Sequence, residues 1–435
     1  MHSFLQLIVT LLAFILFHEY EVVAVYVPPY SSLLVPITKH TDAAATPLYS
    51  VPFETSWDST RSKPKNFLID TDAPFTWNDC IVDWNNLDQP GICTDSVCTY
   101  PVSCEDDLCL DVRTISFKNP SCPLETNNST LPGWGDCTCP VNVVNPITGS
   151  CIQGLLNYQD LMLRTSNGTN PIDSTYGVTP DGACVPSTLE SFPANVTGVL
   201  ALSTSPFAFQ SFININNVMS IISLCLPSTT SDPGVLFFGK GPYYFQNVDI
   251  RSYLSYTPLL NHPDSFGYFI GVTSIVIKKR SNQVPTNATT KLSTIEPYTT
   301  LRTDIYNQVI RRFSMVTKRI QTVKPIAPFG LCYKSYTNST EVGLKVPDID
   351  FSLESGNKWS VSTANSMKQM TEDVACLAFV DGGATSEHGI VIGTFQYEDN
   401  FVSFDLKNST FGFSSSLLRK QISCANFNFT TIASN

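Results

Sequence analysis

Two segments of the chain carry side chains that could do chemistry. The first half contains Phe67-Leu-Ile-Asp70-Thr-Asp72, an apolar run ending in carboxylates, and the second contains Lys291-Leu-Ser293-Thr294-Ile295. Hydrolysis by two carboxylates that share one proton needs them about 3 Å apart, one ionised as base and its neighbour held protonated as acid. Asp72 does not supply the second: on an extended strand it points the same way as Asp70 but sits about 6.5 Å further along. Asp70 is therefore expected to be an ordinary carboxylate, held by neighbouring backbone N–H groups and by the hydroxyl of Ser293 or Thr294. Ser293 is no nucleophile, because no histidine near it in sequence can act as its base and no Gly-x-Ser-x-Gly elbow occurs.

Metal chemistry is not implied either. Cys80, Cys93, Cys98, Cys104, Cys109 and Cys122 follow at irregular intervals, Cys137-Thr-Cys139 is not a Cys-x-x-Cys pair, and no histidine lies at ligand spacing from them. No metal and no cofactor are expected. The fourteen cysteines form an even set, which an oxidising compartment would pair as seven disulfides. Eight Asn-x-Ser/Thr sequons, at Asn127, Asn128, Asn167, Asn195, Asn287, Asn338, Asn408 and Asn428, fit a glycosylated secreted surface. Residues 1–24 read as a secretory signal cleaved near Ala24, with an apolar run Phe4–Phe17 that is short for a membrane span.

Positioning elements must come from a chain of 435 residues that is 43% hydrophobic and only 14% charged, long enough for two domains or one large bilobal one. Short alternating or apolar segments bounded by Gly, Pro, Asn and Ser predict strands at Ser32–Thr38, Leu161–Thr165, Gly234–Gly239, Gly267–Ile277, Gly389–Gly393 and Phe401–Leu406. No βαβ rhythm appears. Ile305, Val309, Ile310 and Phe313 at helical spacing, with Asp304 in the first turn, predict a helix over Thr303–Val316. The Cys/Asn/Pro-rich stretch Cys80–Cys151 reads as a disulfide-stapled loop region. Two β-rich lobes are expected, residues 25–228 and 229–435, meeting near the polar connection Pro227–Asp232. His40 and His262, in polar turn-like contexts, are expected to face solvent.

The net charge of -11 excludes a broad nucleic-acid footprint, and charge alone would not hold such a protein on an anionic cell wall. Lys278-Lys279-Arg280, Arg311-Arg312 and Lys318-Arg319 read as solvated strand ends or helix faces.

The two chemistry-bearing segments resemble the active-site strands of pepsin-like aspartic proteases, in which each lobe ends an apolar strand in Asp-Thr/Ser-Gly. Here Ser293-Thr294-Ile295 stands where the second such triplet belongs, and Asp72 replaces the first glycine, adding a Cβ and a charge. The resemblance covers nearly the whole chain after the signal. Thr197-Gly-Val-Leu-Ala-Leu202 and Gly389-Ile-Val-Ile-Gly393 are similar to the strands that cross behind the two aspartates, and Phe404–Phe413 is similar to the family's ending. Gly267–Ile277, Pro328-Phe-Gly-Leu-Cys332, Glu398-Asp-Asn400 and Cys424-Ala-Asn-Phe-Asn-Phe429 resemble one subgroup, the plant extracellular dermal glycoproteins, xyloglucan-specific endoglucanase inhibitors and xylanase inhibitors.

This resemblance implies an all-β bilobal pepsin-like fold with few short helices and no proteolysis, Asp70 and Ser293 being vestigial. Only 45 residues separate Ala24 from Asp70, little room for an inhibitory prosegment. The flap aligns with Asn142–Thr148, which has no aromatic, and Tyr158 beyond it reads as an ordinary strand residue. Cys332 is expected to pair with Cys376 and Cys424 to tie the tail back. Two more cysteines are present than the subgroup usually carries, which implies a local bond of Cys151 with Cys137 or Cys139.

The relatives imply a partner, a secreted microbial glycoside hydrolase (endoglucanase or xylanase), met by loops of the second lobe. A glycosidase cleft holds two carboxylates, which a cation on a rigid loop can engage. The candidate loops are Thr317–Ala327, with Lys318, Arg319, Thr322 and Lys324, and Asp381–Gly389, with Glu387 and His388. Where active xyloglucanase inhibitors present arginines, this chain has Thr322 and Glu387, and where xylanase inhibitors use a histidine it has Lys420. Three functions follow from the sequence: an inhibitor or decoy for a pathogen glycosidase in plant defence, a non-inhibitory apoplastic binding or receptor-like glycoprotein, and a residual aspartic endopeptidase. A monomer in the apoplast is expected, with no nucleic-acid or membrane partner.

Overall fold

The computed structural model describes residues 31–41, 46–54, 64–80, 99–116, 122, 137–185, 191–213, 220–335 and 344–433. The leader 1–24, the sequons at Asn127, Asn128 and Asn338, and Cys93 and Cys98 lie outside them. An eight-stranded antiparallel sheet runs through the molecule in the order Pro171–Val178, Leu161–Ser166, Ser32–Thr41, Gly234–Phe238, Ile221–Cys225, Phe401–Asp405, Thr410–Phe413, Ser255–Leu260. Five strands come from residues 32–238 and three from residues 255–413. Ile221–Cys225 and Phe401–Asp405 make the junction, with Ser223 opposite Ser403 and their hydroxyls bonded at 2.9 Å.

On this sheet each half repeats one arrangement. Lys65–Asp70 lies between Pro47–Phe53, antiparallel, and Val196–Ala201, parallel, with Asp70 level with Ala201. Thr290–Leu292 lies between Tyr268–Ile270, antiparallel, and Ile390–Ile392, parallel. Neighbouring parallel pairs repeat too, Thr76–Asp79 with Asp181–Val185 and Thr299–Leu301 with Phe379–Asp381. Phe67, Leu68 and Ile69 are buried without a break, the pattern of a strand covered on both faces. Gly198 must be glycine where the strand behind Asp70 crosses Trp77, because a Cβ would strike the Trp77 carbonyl.

The predicted strands are present, Gly267–Ile277 broken at Gly271 into Tyr268–Ile270 and Val272–Ile277. The helix spans Thr303–Val316 and buries Ile305, Val309 and Phe313. The described part of Cys80–Cys151 holds regular elements that the sequence did not suggest. It holds a helix, Asp107–Ser116, and a hairpin arm, Pro140–Val144, paired to Cys151–Gln159.

Six disulfides join the described cysteines. Cys332 pairs with Cys376 across adjacent strands, and Cys424 ties the tail to Cys225, both as expected. The local bond expected of Cys151 is corrected: Cys151 pairs with Cys122, Cys137 with Cys104 and Cys139 with Cys109. The hairpin register explains why. The Cys139 carbonyl accepts from Leu156 N at 2.7 Å, and Cys151 lies five residues, about 17 Å, from Leu156 along the strand. Cys139 instead meets the buried Cys109 of the helix, while Cys80 is bonded to Cys184. His40 and His262 are half-buried rather than solvent-facing. His40 bonds the Ser50 hydroxyl at 2.7 Å and His262 stacks on Phe269 with ring centroids 4.7 Å apart.

Candidate functional site

The ends of the two repeated strands meet between the lobes. Thr71 N donates to Thr294 Oγ1 at 3.1 Å, Thr294 Oγ1 donates to the Ile69 carbonyl at 2.8 Å, and Thr71 Oγ1 reaches the Leu292 carbonyl at 3.5 Å. This exchange of hydroxyl and backbone groups fixes Asp70 and Ser293 at one floor. It also corrects the expected support of Asp70. The hydroxyl of Thr294 is spent on Ile69 and Thr71, and that of Ser293 accepts from Ile295 N at 3.2 Å and Glu296 N at 3.0 Å. Asp70 Oδ1 is held by Asp72 N at 2.8 Å.

Nor is Asp70 an ordinary carboxylate. It is 6% exposed. Burial, then the Asp72 charge, push its pKa from the usual 3.8 up to about 6, against the backbone N–H groups of Asp72 and Ala73 and the Lys291 cation.

Asp72 proves to be part of an arrangement rather than mere damage. Its carboxylate pairs with Lys291 Nζ at 2.5 Å and accepts from the Ser265 hydroxyl at 2.8 Å, both groups of the opposite lobe. Gly267 makes room for it, since a Cβ there would sit 2.7 Å from Asp72 Oδ1 and 3.0 Å from Lys291 Cε. The sequence contained this signal. Lys291 lies two residues before Ser293, on the same side of its strand, just as Asp72 lies two residues after Asp70. The floor between the lobes thus holds one carboxyl with raised pKa and an inter-lobe ion pair, not two carboxylates sharing a proton.

Beside this floor stands His388. Its Nδ1 lies 3.0 Å from Thr289 Oγ1, and its ring meets Phe269 and His262 edge-on at 5.4 and 6.0 Å. Burial, followed by the Lys291 cation, lowers its pKa. Glu387 next to it is exposed.

Both candidate loops hang from the helix Thr303–Val316. At its first turn Thr303 Oγ1 donates to Asp381 Oδ1 at 2.6 Å, fixing the start of the 381–389 loop. At its end Thr317 Oγ1 bonds the Phe313 carbonyl at 2.7 Å and the Tyr333 hydroxyl at 2.6 Å. The loop then turns back as a short hairpin, Val323 opposite Cys332, and Gly330 packs against the Tyr306 hydroxyl of the first turn. Lys318, Arg319, Thr322 and Lys324 are all exposed on it. Among the described residues no contact joins these four to Glu387 or His388, so the structure presents two separate loops on one frame.

The hairpin matched to the flap turns at Asn145–Ser150, where Asn145 Oδ1 accepts from Ile147 N at 2.9 Å and Ile147 is exposed. Tyr158 is a strand residue whose hydroxyl donates to Asp106 at 3.2 Å. The five described sequon asparagines, Asn167, Asn195, Asn287, Asn408 and Asn428, are exposed.

A second inter-lobe contact was not foreseen. Lys39 Nζ meets Glu398 Oε1 at 2.7 Å, both side chains almost fully buried, and the Tyr49 hydroxyl donates to the same oxygen at 2.8 Å. Lys39 and Tyr49 belong to the first lobe and Glu398 to the second. Burial raises the Glu398 pKa and the Lys39 cation opposes the rise. The Glu398-Asp-Asn400 motif therefore has a structural task, with Asp399 Oδ1 also accepting from Cys424 N at 2.8 Å.

Two lobes of one design, meeting at paired strand ends over a shared sheet, define a bilobal pepsin-like protein. The comparisons with known proteins agree. Residues 57–240 match the family described as xylanase inhibitor N-terminal and residues 267–415 the one described as xylanase inhibitor C-terminal, and the chain belongs to this family. A probable aspartic proteinase GIP2 of Nicotiana benthamiana is 34% identical over 85% of this chain and 87% of its own. Chitinase CLP of Oryza sativa subsp. japonica is 31% identical over 92% of each. Among solved structures, edgp superposes with a TM-score of 0.77 at 31% identity, covering 92% of this chain and 98% of its own. Conglutin gamma, a basic 7S globulin from lupine seeds, gives 0.75 at 26% identity, covering 92% of this chain and 100% of its own.

Proposed function

We propose that this chain is a non-proteolytic, secreted plant glycoprotein that inhibits or decoys a microbial glycoside hydrolase, an endoglucanase or xylanase, through loops of its second lobe. The observation that carries the non-proteolytic part is the floor itself. The Ser293 hydroxyl is engaged by its own loop, Asp70 bonds the backbone of Asp72, and the carboxylate of Asp72 is tied up by Lys291 of the other lobe. A lone carboxyl has no partner with which to divide the roles of acid and base.

The inhibitory part is supported by membership of a xylanase-inhibitor family and by the loop frame. Lys318, Arg319 and Lys324 project from a hairpin held by a disulfide and by the helix, so little side-chain order is lost beyond the cations themselves on docking to a carboxylate-lined cleft. His388 is the candidate contributor from the second loop. The test is a titration of the purified protein against a panel of microbial endoglucanases and xylanases, following sugar release. Stoichiometric loss of one activity is expected, weakened by at least about tenfold when Lys318, Arg319, Lys324 and His388 are replaced together, the change that losing one charge-assisted contact brings. Inhibition that survives the quadruple variant rules out docking through these loops.

One observation favours a second reading, a binding or receptor-like glycoprotein without inhibitory activity. Glu387 is exposed on the 381–389 loop, where it would repel a catalytic carboxylate. No inhibition across the panel would select that reading. Degradation of unfolded protein at acid pH, abolished by Asp70→Ala, would overturn both.

A further inference from the structure

Two basic clusters that lie apart in the sequence are brought together in the second lobe. The turn after Val272–Ile277 puts Lys278 and Lys279 in left-handed backbone at φ 48° and 65°, which projects them and Arg280 into solvent. This turn is clamped to the helix Thr303–Val316. Arg312 Nε donates to the Ile277 carbonyl and one Nη to the Lys278 carbonyl, each at 3.3 Å. Arg311 is exposed beside it, and Lys318-Arg319 follow at the end of the same helix.

Within a protein of net charge -11 these cations are unneutralised. Elsewhere Lys39, Lys65, Arg251, Lys291, Arg302, Lys358 and Arg419 each pair with a carboxylate. Among the described residues Lys278, Lys279, Arg280, Arg311 and Arg312 form no ion pair. The acids nearest in register are already taken: Ile349 lies opposite Ile277, and its neighbours Asp348 and Asp350 are held by Arg419 at 2.6 Å and Lys358 at 3.7 Å.

We infer that this face, built by Lys278, Lys279, Arg280, Arg311 and Arg312, binds a linear carboxylated polysaccharide. The charge calls for a polyanion, and what surrounds it selects the kind. A protein interface of useful strength needs aromatic or apolar anchors, and single-stranded nucleic acid needs aromatic stacking platforms. Met315 is the one exposed large hydrophobic residue on this helix, and no exposed aromatic lies on the helix or the turn. A polyuronate asks only for a row of cations on a rigid frame, and Arg312 supplies the rigidity through its two carbonyl contacts. The net charge of the chain hides this, because the negative charge lies elsewhere.

The test uses the whole protein on immobilised polygalacturonate, with dextran as the neutral control. Retention is expected at about 20 mM salt and release by about 300 mM, where screening falls within one side-chain length. Lys278→Glu, Lys279→Glu and Arg311→Glu together should weaken binding by at least about tenfold without altering thermal stability, Arg312 being left to hold the turn. A matched variant with the same net charge, Lys240→Glu, Lys407→Glu and Lys420→Glu, should bind as the wild type does. No retention at low salt, equal loss in both variants, or retention on sulfated heparin but not on polygalacturonate overturns the assignment. None of these readouts depends on glycosidase inhibition, so this site and the inhibitory loops stand or fall separately.

Discussion

Replacing Asp70 by Asn tests the electrostatics of the inter-lobe floor. Folding lifts this carboxyl from 3.8 to about 6, so the folded state holds the proton more tightly than the unfolded chain. The favourable contribution is fully present below about pH 3.8 and is lost as pH rises through about 6, because above that the folded protein must keep an ionised carboxylate out of water. The difference corresponds to about 3 kcal/mol at roughly 1.4 kcal/mol per pH unit. Asn is neutral at every pH and escapes this cost. Its amide NH2 also faces one backbone N–H that the carboxylate accepted, which takes back about 1 kcal/mol. Asp70→Asn is thus expected to stabilise the protein by about 2 kcal/mol near pH 7.5 and to be neutral to slightly destabilising near pH 3.5. Urea unfolding of both proteins at the two pH values, disulfides intact, measures this. Asp181, also lifted to about 6 by burial and by Asp106, is common to both proteins and cancels. A stability difference that does not change with pH would refute the reasoning.

Asp72→Asn should lower the Asp70 pKa, since it removes a like charge and leaves Lys291 facing the carboxyl; carbon NMR titration of the Asp70 side chain reads the shift. Lys39→Met leaves Glu398 buried without its cation and is expected to cost about 3–5 kcal/mol in urea unfolding at pH 7, partly restored by adding Glu398→Gln. A cost below about 1 kcal/mol would mean water reaches that pair. Replacing both Cys332 and Cys376 by Ser opens a 44-residue loop, which chain entropy values at about 4 kcal/mol; differential scanning calorimetry should show the lowered Tm, and any glycosidase inhibition should weaken with it.

Much of the fold was legible because it is written in local pattern. The helix Thr303–Val316 follows from four apolar residues at helical spacing, and the buried strands from unbroken apolar runs such as Phe67-Leu-Ile69. The helix Asp107–Ser116 was not legible. Its inward face is Cys109 and Val112, too few apolar positions to set a period inside a Cys-rich stretch. The disulfides there depend on which end of a hairpin each cysteine occupies, a matter of register rather than spacing. At the site Asp70 and Ser293 were legible as ends of apolar runs, whereas the Asp72–Lys291 pair needed two residues 219 apart in sequence to be set face to face. The Lys39–Glu398 pair is hidden for the same reason, its members being 359 apart. The half-buried state of His262 is invisible in its polar neighbours because Phe269 covers it from the next strand.

The junction of Ile221–Cys225 with Phe401–Asp405 has a consequence for how the protein is made. Ser223 must wait for Ser403, 180 residues later, before its strand has a neighbour on that side. At roughly 5–20 residues per second this leaves an apolar strand edge open for about 10–40 s during synthesis. An unpaired edge is a template for any passing strand. Cys225 lies on that same edge, and its partner Cys424 is made later still. The nascent chain therefore carries a thiol still without its partner and a sticky border together, and the fraction of chains that mature correctly should depend on how well a chaperone or disulfide isomerase covers residues 221–225 in that interval.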